Sequence, residues 1–332
     1  MRVSYDEMYS QLKRVLEKYG ITGQDAELSA KLYTDASLDG IYTHGLNRFP
    51  KFIKTIADGH VDPKARATKV ESFGVLERYD GNNGPGNLNA WIAMNRAIEL
   101  AKSNTIGVVA MRNNNHWMRA GNYGLLAAKN DCIGILWTNT IPNMAPWGGK
   151  EDKLGNNPIV FAIPHGDTPI LVDVAMSLFS YGKLEKLKRA GEQTPVDAGY
   201  DIDGNITRDP AAVIKTHQVF PIGYWKGSAM TLALDIIAAI TSGGNLTRQI
   251  GTYPIETHVS QFFMAIDISK FQDRDEIMKQ VEISLEELKA CEPMDSSKPV
   301  HFPGEGMQAV RKDNLENGIP VDEGIWQQVL AL

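Results

Sequence analysis

An imidazole and a guanidinium stand four residues apart in Thr43-His44-Gly45-Leu46-Asn47-Arg48-Phe49. If the segment opens a helix, His44 and Arg48 share one face, because residues four apart are neighbours on a helical surface. An imidazolium can give its proton to the oxygen of a carbonyl under reduction, and a guanidinium grips a carboxylate through two parallel hydrogen bonds. The pair therefore suits keto-acid reduction, with His44 as proton donor titrating near neutrality and Arg48 as carboxylate clamp.

A second polar string, Asn113-Asn114-Asn115-His116-Trp117-Met118-Arg119, falls between a predicted strand and a predicted helix. Open α/β sheets bind ligands at such strand ends. Arg119 is a candidate clamp on the wall opposite Arg48. His116 either bonds a keto or hydroxyl oxygen of the substrate or holds the loop that presents Arg119. Thr138 and Asn139 end the next predicted strand and join the candidate substrate ligands. Taken singly, each loop satisfies its own backbone; together with His44 and Arg48 they suggest one polar pocket. His60, His165, His217, His258 and His301 fall in predicted loops or at element edges and receive no role.

Other chemistries find less support. The Gly-x-Gly-x-x-Gly fingerprint of a Rossmann dinucleotide site is absent. Gly81-Asn82-Asn83-Gly84-Pro85-Gly86 reads as a tight turn before a helix, since Pro85 removes a backbone donor that a phosphate loop needs. No His-Glu-x-x-His or Cys-x-x-Cys occurs, so no metal site is expected. Gly227-Ser228-Ala229 lacks the glycines of a nucleophile elbow, and Gly223 to Ser228 does not match a P-loop. A net charge of -6 without clustered Lys or Arg argues against nucleic acid. Cys132 and Cys291 are too few to frame 332 residues with disulfides and are expected to be reduced and mostly buried. The amino terminus carries no apolar signal core, and nothing reaches the ~18 apolar residues of a membrane span, so the expected location is cytoplasmic.

The elements that must position these residues read as three blocks. Residues 1–68 are helical: Ser4 and Glu7 form a capping box before Met8, Leu12, Val15 and Leu16, Thr22 with Asp25 opens a second helix, and a third runs from about Asn47 to Ala57. Residues 69–295 alternate short β-rich runs with helices. Strands are expected at 70–73, 75–79, 106–111, 132–138, 159–163, 170–174 and 262–268, with helices at 87–102, 120–129, 181–189, 228–240 and 274–290. Several strands follow one another without a helix, which predicts a mixed rather than parallel sheet. Residues 296–332 return to helices that pack on the amino-terminal ones. The stretch 195–210 reads as an ordered surface loop.

Thr43-His44-Gly45, Asn115-His116, Thr138-Asn139, Gly155-Asn156-Asn157-Pro158, Val172-Asp173, Tyr181-Gly182-Lys183 and Trp225-Lys226-Gly227 occur in an order that resembles the malate/L-lactate dehydrogenase family. Asn47-Arg48-Phe49-Pro50, His116-Trp117-Met118-Arg119, Phe179-Ser180-Tyr181-Gly182 and Gly223-Tyr224-Trp225-Lys226-Gly227-Ser228 resemble its branch acting on 2,3-diketo-L-gulonate. The resemblance implies an α/β fold with a non-Rossmann mixed-sheet cofactor domain and a helical domain built from both termini. It implies a cytoplasmic homodimer in which His44 donates the proton as NADH reduces 2,3-diketo-L-gulonate to 3-keto-L-gulonate. The dinucleotide would lie along Ile170, Leu171, Val172, Asp173, Val174, Ala175 and Met176, against Trp225 and Lys226, and near Gly304, Glu305 and Gly306. Asp173 is either a ribose partner or orienter, or a strand-end carboxylate bonded to local amides. NADH comes from the resemblance; no residue here separates it from NADPH. Within the family the alternatives are malate, lactate, ureidoglycolate or a cyclic imino acid, and outside it a metal-dependent lyase.

Overall fold

The computed structural model describes residues 1–332. After the short strand β1 (Arg2–Val3), Ser4 caps α1 (Tyr5–Lys18) by accepting the Glu7 N–H at 3.2 Å, as its spacing predicted. The apolar stripe Met8, Leu12, Val15 and Leu16 is buried. The second helix, α2 (Gln24–Leu38), starts after Gly23 and not at Thr22: Gly23 takes a positive φ of 61°, a turn that a side chain at that position would strain. A 3-10 turn over Leu46–Arg48 leads into α3 (Phe49–Ala57), with Pro50 in its first turn. His44 therefore precedes the helix. It meets Arg48 through a turn, not through a shared helical face.

The middle of the chain forms a seven-stranded sheet. Its strands are β2 (Thr68–Phe73), β3 (Leu76–Asp80), β4 (Ile106–Asn114), β5 (Cys132–Thr138), β6 (Ile159–Ile163), β7 (Ile170–Val174) and β10 (Val259–Asp267). They lie in the order β2-β3-β4-β10-β5-β6-β7. Only β3 and β4 are parallel, and α4 (Gly86–Asn104) supplies the crossover such a pair requires. All other pairs are antiparallel, so the sheet is mixed as expected. Alternation along β4 feeds two layers: Val109 and Met111 pack with α4 and α5 (Gly121–Ala128), while Val108 and Ala110 pack with Leu234 and Ala238 on the opposite face. Those two belong to α8 (Trp225–Ser242), which follows α6 (Tyr181–Ala190) and α7 (Pro210–Thr216). The expected loop at 195–210 contains a small hairpin, β8 (Gly199–Tyr200) with β9 (Ile206–Thr207). One turn, α9 (Thr247–Ile250), precedes β10, and α10 (Arg274–Lys289) follows it.

The carboxyl-terminal segment, α11 (Glu305–Asn317), β11 (Ile319–Pro320) and α12 (Glu323–Ala331), returns to the amino-terminal helices. β11 pairs antiparallel with β1, and Ile319, Trp326 and Val329 share a core with Leu12, Leu16, Tyr33 and Phe49. Leu88 and Met118 reach into this core from the sheet side, which locks the two halves together. Cys132 is buried but Cys291 is exposed, against expectation, because it follows the solvent-facing α10. No helix is long and apolar enough to cross a membrane.

Trp326 is 1% exposed within the terminal core. Trp326→Ala should therefore destabilise the chain by roughly 3–5 kcal/mol in urea unfolding. A loss below about 1 kcal/mol would show that the terminal helix is not part of the cooperative core.

Candidate active site

A cavity of about 1130 Å³ opens between the terminal helices and the sheet, and His44, Arg48, His116 and Arg119 all line it. The loop carrying His116 is anchored on both sides. Trp117 packs into the sheet core against Tyr123 and Phe263, while Met118, at a positive φ of 65°, turns into the terminal core. The Gly81 to Gly86 turn is the seat of this loop: a Cβ at Gly86 would stand 2.3 Å from the Asn115 carbonyl oxygen and 2.4 Å from that of His116. Its glycines serve close backbone packing.

The His44 and His116 rings stack with centroids 5.7 Å apart and planes 14° from parallel. His116 Nδ1 accepts the Met118 N–H at 2.9 Å, so a neutral His116 carries its proton on Nε2. That one ring thus holds its loop and keeps a donor for a ligand. Burial, then the Arg48 and Arg119 guanidinium groups, pull the His44 pKa from 6.5 down to about 4. Burial, then Arg48, His44 and Lys51, hold His116 well below the ordinary imidazole range. The His44 pKa thus lies below the near-neutral value expected from sequence. The cause is an excess of neighbouring positive charge in a poorly solvated space.

Arg48 makes no ion pair within 4.0 Å. Lys51, one turn further along α3, makes none either; Arg48 first and burial second depress its pKa, with Glu256 opposing. Two unpaired cations facing a cavity are costly unless an anion joins them. Arg119 differs. Only 2% exposed, it gives Nη1 to Asp39 Oδ2 at 2.5 Å and Nη2 to Met307 Sδ at 3.1 Å. Asp39 Oδ1 in turn accepts Arg311 Nη1 at 2.7 Å. The expected second clamp is thus spent on a buried carboxylate. Thr138 and Asn139 line the cavity but are also occupied: Thr138 Oγ1 donates to the Asn139 carbonyl at 2.9 Å, and Asn139 bonds Asp235, the Asn245 carbonyl and the Ser260 N–H.

Strand alternation divides the expected dinucleotide segment. Leu171, Asp173 and Ala175 line the cavity, whereas Ile170, Val172 and Val174 do not, and Met176 is buried with Leu184 in the opposite layer. Asp173 Oδ2 accepts the Gly121 N–H at 2.8 Å. Surrounding protein pushes the Asp173 carboxyl pKa up, although the side chain stays open to the cavity. At the free edge of β7 the Leu171 N–H donates to the Pro303 carbonyl at 3.0 Å, which pins the start of α11 beside the strand. Gly304, at φ 95°, leaves no room for a side chain, since a Cβ would meet the Pro169 carbonyl oxygen at 2.9 Å; nothing lies within 4 Å of one at Gly306. A helix amino terminus with bare glycines fits a phosphate-bearing group. Glu305 does not join this wall: it pairs with Lys289 and with His301 at 2.7 Å. Trp225 and Lys226 also lie outside the cavity, on the exposed start of α8, where Trp225 is 62% exposed.

Lys51, Glu256 and Asp39 are not among the site residues expected from sequence. Lys51 had a signal, its i,i+3 spacing from Arg48; Glu256 and Asp39 had none, because their partners are remote in sequence.

The sequence profile of malate/L-lactate dehydrogenases matches residues 3–330. A 2,3-diketo-L-gulonate reductase of Haemophilus influenzae is 44% identical over 337 residues, covering all of both chains. Two solved structures share the fold: malate dehydrogenase from Pyrococcus horikoshii (TM-score 0.89, 32% identity, 99% of this chain and 93% of that one) and sulfolactate dehydrogenase from Methanocaldococcus jannaschii (TM-score 0.89, 31% identity, 99% and 95%). With the profile matching nearly end to end and a full-length relative at 44% identity, the chain belongs to the malate/L-lactate dehydrogenase family.

Proposed function

We propose that this chain reduces 2,3-diketo-L-gulonate to 3-keto-L-gulonate with NADH, as a cytoplasmic homodimer. The observation that carries the reading is the stacked His44 and His116 pair beside an Arg48 that has no protein carboxylate to hold. In this reading residues 69–295 form the dinucleotide domain, and residues 1–68 with 296–332 form the helical unit that brings the proton donor. The name of the Haemophilus relative supports the substrate.

The residues define the proton chemistry. Arg48 takes the substrate carboxylate, and His116 Nε2–H bonds the carbonyl oxygen. Bound nicotinamide supplies a hydride to the carbonyl carbon. His44 delivers the proton that completes the hydroxyl. Leu171, Asp173, Ala175, Gly304 and Gly306 form the wall for the dinucleotide. Because Arg48 is the second cause of the low His44 pKa, a carboxylate bound to Arg48 cancels part of that depression. The proton donor therefore charges as the substrate arrives.

A second copy of the chain fits the exposed face of α8, where Met230, Leu232, Ile236, Ile237 and Ile240 form an apolar row that nothing in one chain covers.

His44→Ala should lower kcat/KM by at least about 100-fold while the dissociation constant for NADH changes by less than about twofold. Near wild-type turnover would remove His44 from the mechanism. Oxamate, an unreactive keto-acid mimic, should bind the NADH complex with uptake of a proton between about pH 4 and 6, since His44 moves upward from its low value. Calorimetry in buffers of different ionisation enthalpy reads this directly, and zero or negative uptake would contradict it. Ile236→Asp should shift the mass seen by light scattering from dimer toward monomer; an unchanged dimer would clear α8 of the interface.

A further inference from the structure

Besides Arg48, the cavity is lined by Lys51, Phe52, Lys54 and Thr55 of α3 and by the loop that carries Pro254, Ile255 and Glu256. Its charges there are unusual in being mostly unspent. Lys54 is paired with Asp58 at 2.8 Å, but Arg48, Lys51 and Glu256 have no ionic partner within 4.0 Å. Glu256 Oε2 accepts the Ile141 N–H at 3.2 Å, which fixes the carboxylate to the end of the β5 wall and leaves Oε1 without a hydrogen bond. Two cations and one anion leave one net positive charge in this part of the cavity. That matches a substrate with one carboxylate.

We propose that Glu256 selects the tail of the substrate, accepting hydroxyl groups of an uncharged polyol and repelling a second acidic group. This rests on the proposed keto-acid reduction and deepens it. A carboxylate held by Arg48 and Lys51 uses the two cations, and Glu256, which lines the same cavity close enough to Lys51 to act on its ionisation, is the charge left for the rest of the substrate. A hydroxylated tail can donate to its free oxygen. A second carboxylate or a sulfonate there would face like charge in a partly desolvated space, which disfavours the wrong partner strongly. The fold neighbours from Pyrococcus and Methanocaldococcus are named for malate and sulfolactate, acids with two anionic groups. The shared fold therefore does not by itself impose a single-anion substrate, and a wall residue has to supply the distinction.

The test is Glu256→Gln, which keeps an acceptor for the Ile141 N–H while removing the charge. Steady-state NADH oxidation would be followed with 2,3-diketo-L-gulonate, oxaloacetate and pyruvate, which carries neither a hydroxylated tail nor a second acidic group. The variant should raise the ratio of kcat/KM for oxaloacetate to that for pyruvate by about tenfold or more, and lower the ratio for 2,3-diketo-L-gulonate to that for pyruvate several-fold. An unchanged ratio of oxaloacetate to pyruvate overturns the proposal. An equal loss on all three substrates also does, since it would mark Glu256 as support for the Ile141 backbone. Dissociation constants of L-malate and L-lactate with the NADH complex give an independent readout, with malate alone expected to tighten about tenfold in the variant. If the wild type reduces none of the three keto acids, the proposed reaction falls, and the malate to lactate affinity ratio still decides the role of Glu256.

Discussion

The site depends on one buried carboxylate. Asp39, just past the end of α2, bridges Arg119 on the His116 loop and Arg311 on the second turn of α11. Taking an acid and a guanidinium out of water is expensive, and a buried anion between two cations is tolerated because each partner offsets the desolvation of the other. Loss of either partner would strand a charge in the interior. The same carboxylate lies five residues before His44, while Arg119 lies three after His116 and Arg311 five after Gly306. Three segments remote in sequence are therefore held in one relation, and each contributes a different wall of the cavity.

That arrangement explains why the cavity is electrostatically asymmetric. Arg119 is neutralised by Asp39, so its field on the imidazoles is a residue of a balanced pair. Arg48 and Lys51 have no such balance: beyond burial, the first cause for both rings, Arg48 and then Arg119 lower the His44 pKa, and Arg48, His44 and Lys51 lower that of His116. In the proposed reaction, a donor that charges only in the presence of its substrate is protected from idle titration. Preorganised positive charge also stabilises the alkoxide that develops during reduction, since it is already oriented when the reaction begins. The cost is local: two like charges three residues apart, Arg48 just before α3 and Lys51 in its first turn, sit on a segment anchored by the buried Phe49, Phe52 and Ile53.

Local rules made much of this legible from sequence. The Ser4 cap, the strands over 132–138, 159–163 and 170–174, and the mixed sheet follow from spacing and alternation, which act within a few residues. His44, Arg48 and His116 were legible as chemistry because their residue types stand near turns and strand ends. What escaped depends on contacts across the fold. Arg119 reads as a free clamp until Asp39, 80 residues away, is seen to occupy it. Thr138 and Asn139 read as ligands until Asp235 and Ser260 are seen to consume Asn139. The third helix, expected from about Asn47, begins at Phe49 after a 3-10 turn, so the shared helical face of His44 and Arg48 is not formed, yet the turn still brings the two side chains to one cavity.

The absence of a Rossmann fingerprint has a structural counterpart in the strand order. Doubly wound sheets bind dinucleotides in a crevice at the carboxyl ends of parallel strands, where the winding reverses. Here only β3 and β4 are parallel, so no such crevice exists. The proposed dinucleotide wall is instead built at the opposite edge of the sheet, where the last strand, β7, bonds Pro303 and so meets the amino terminus of α11. That helix comes from the end of the chain and is held by helices from its beginning. In this fold the terminal segments are consequently part of the cavity itself: the core around Trp326 and the Asp39 bridge hold Gly304 and Gly306, at the start of α11, in the same cavity as His44, and the proposed reaction draws on both walls.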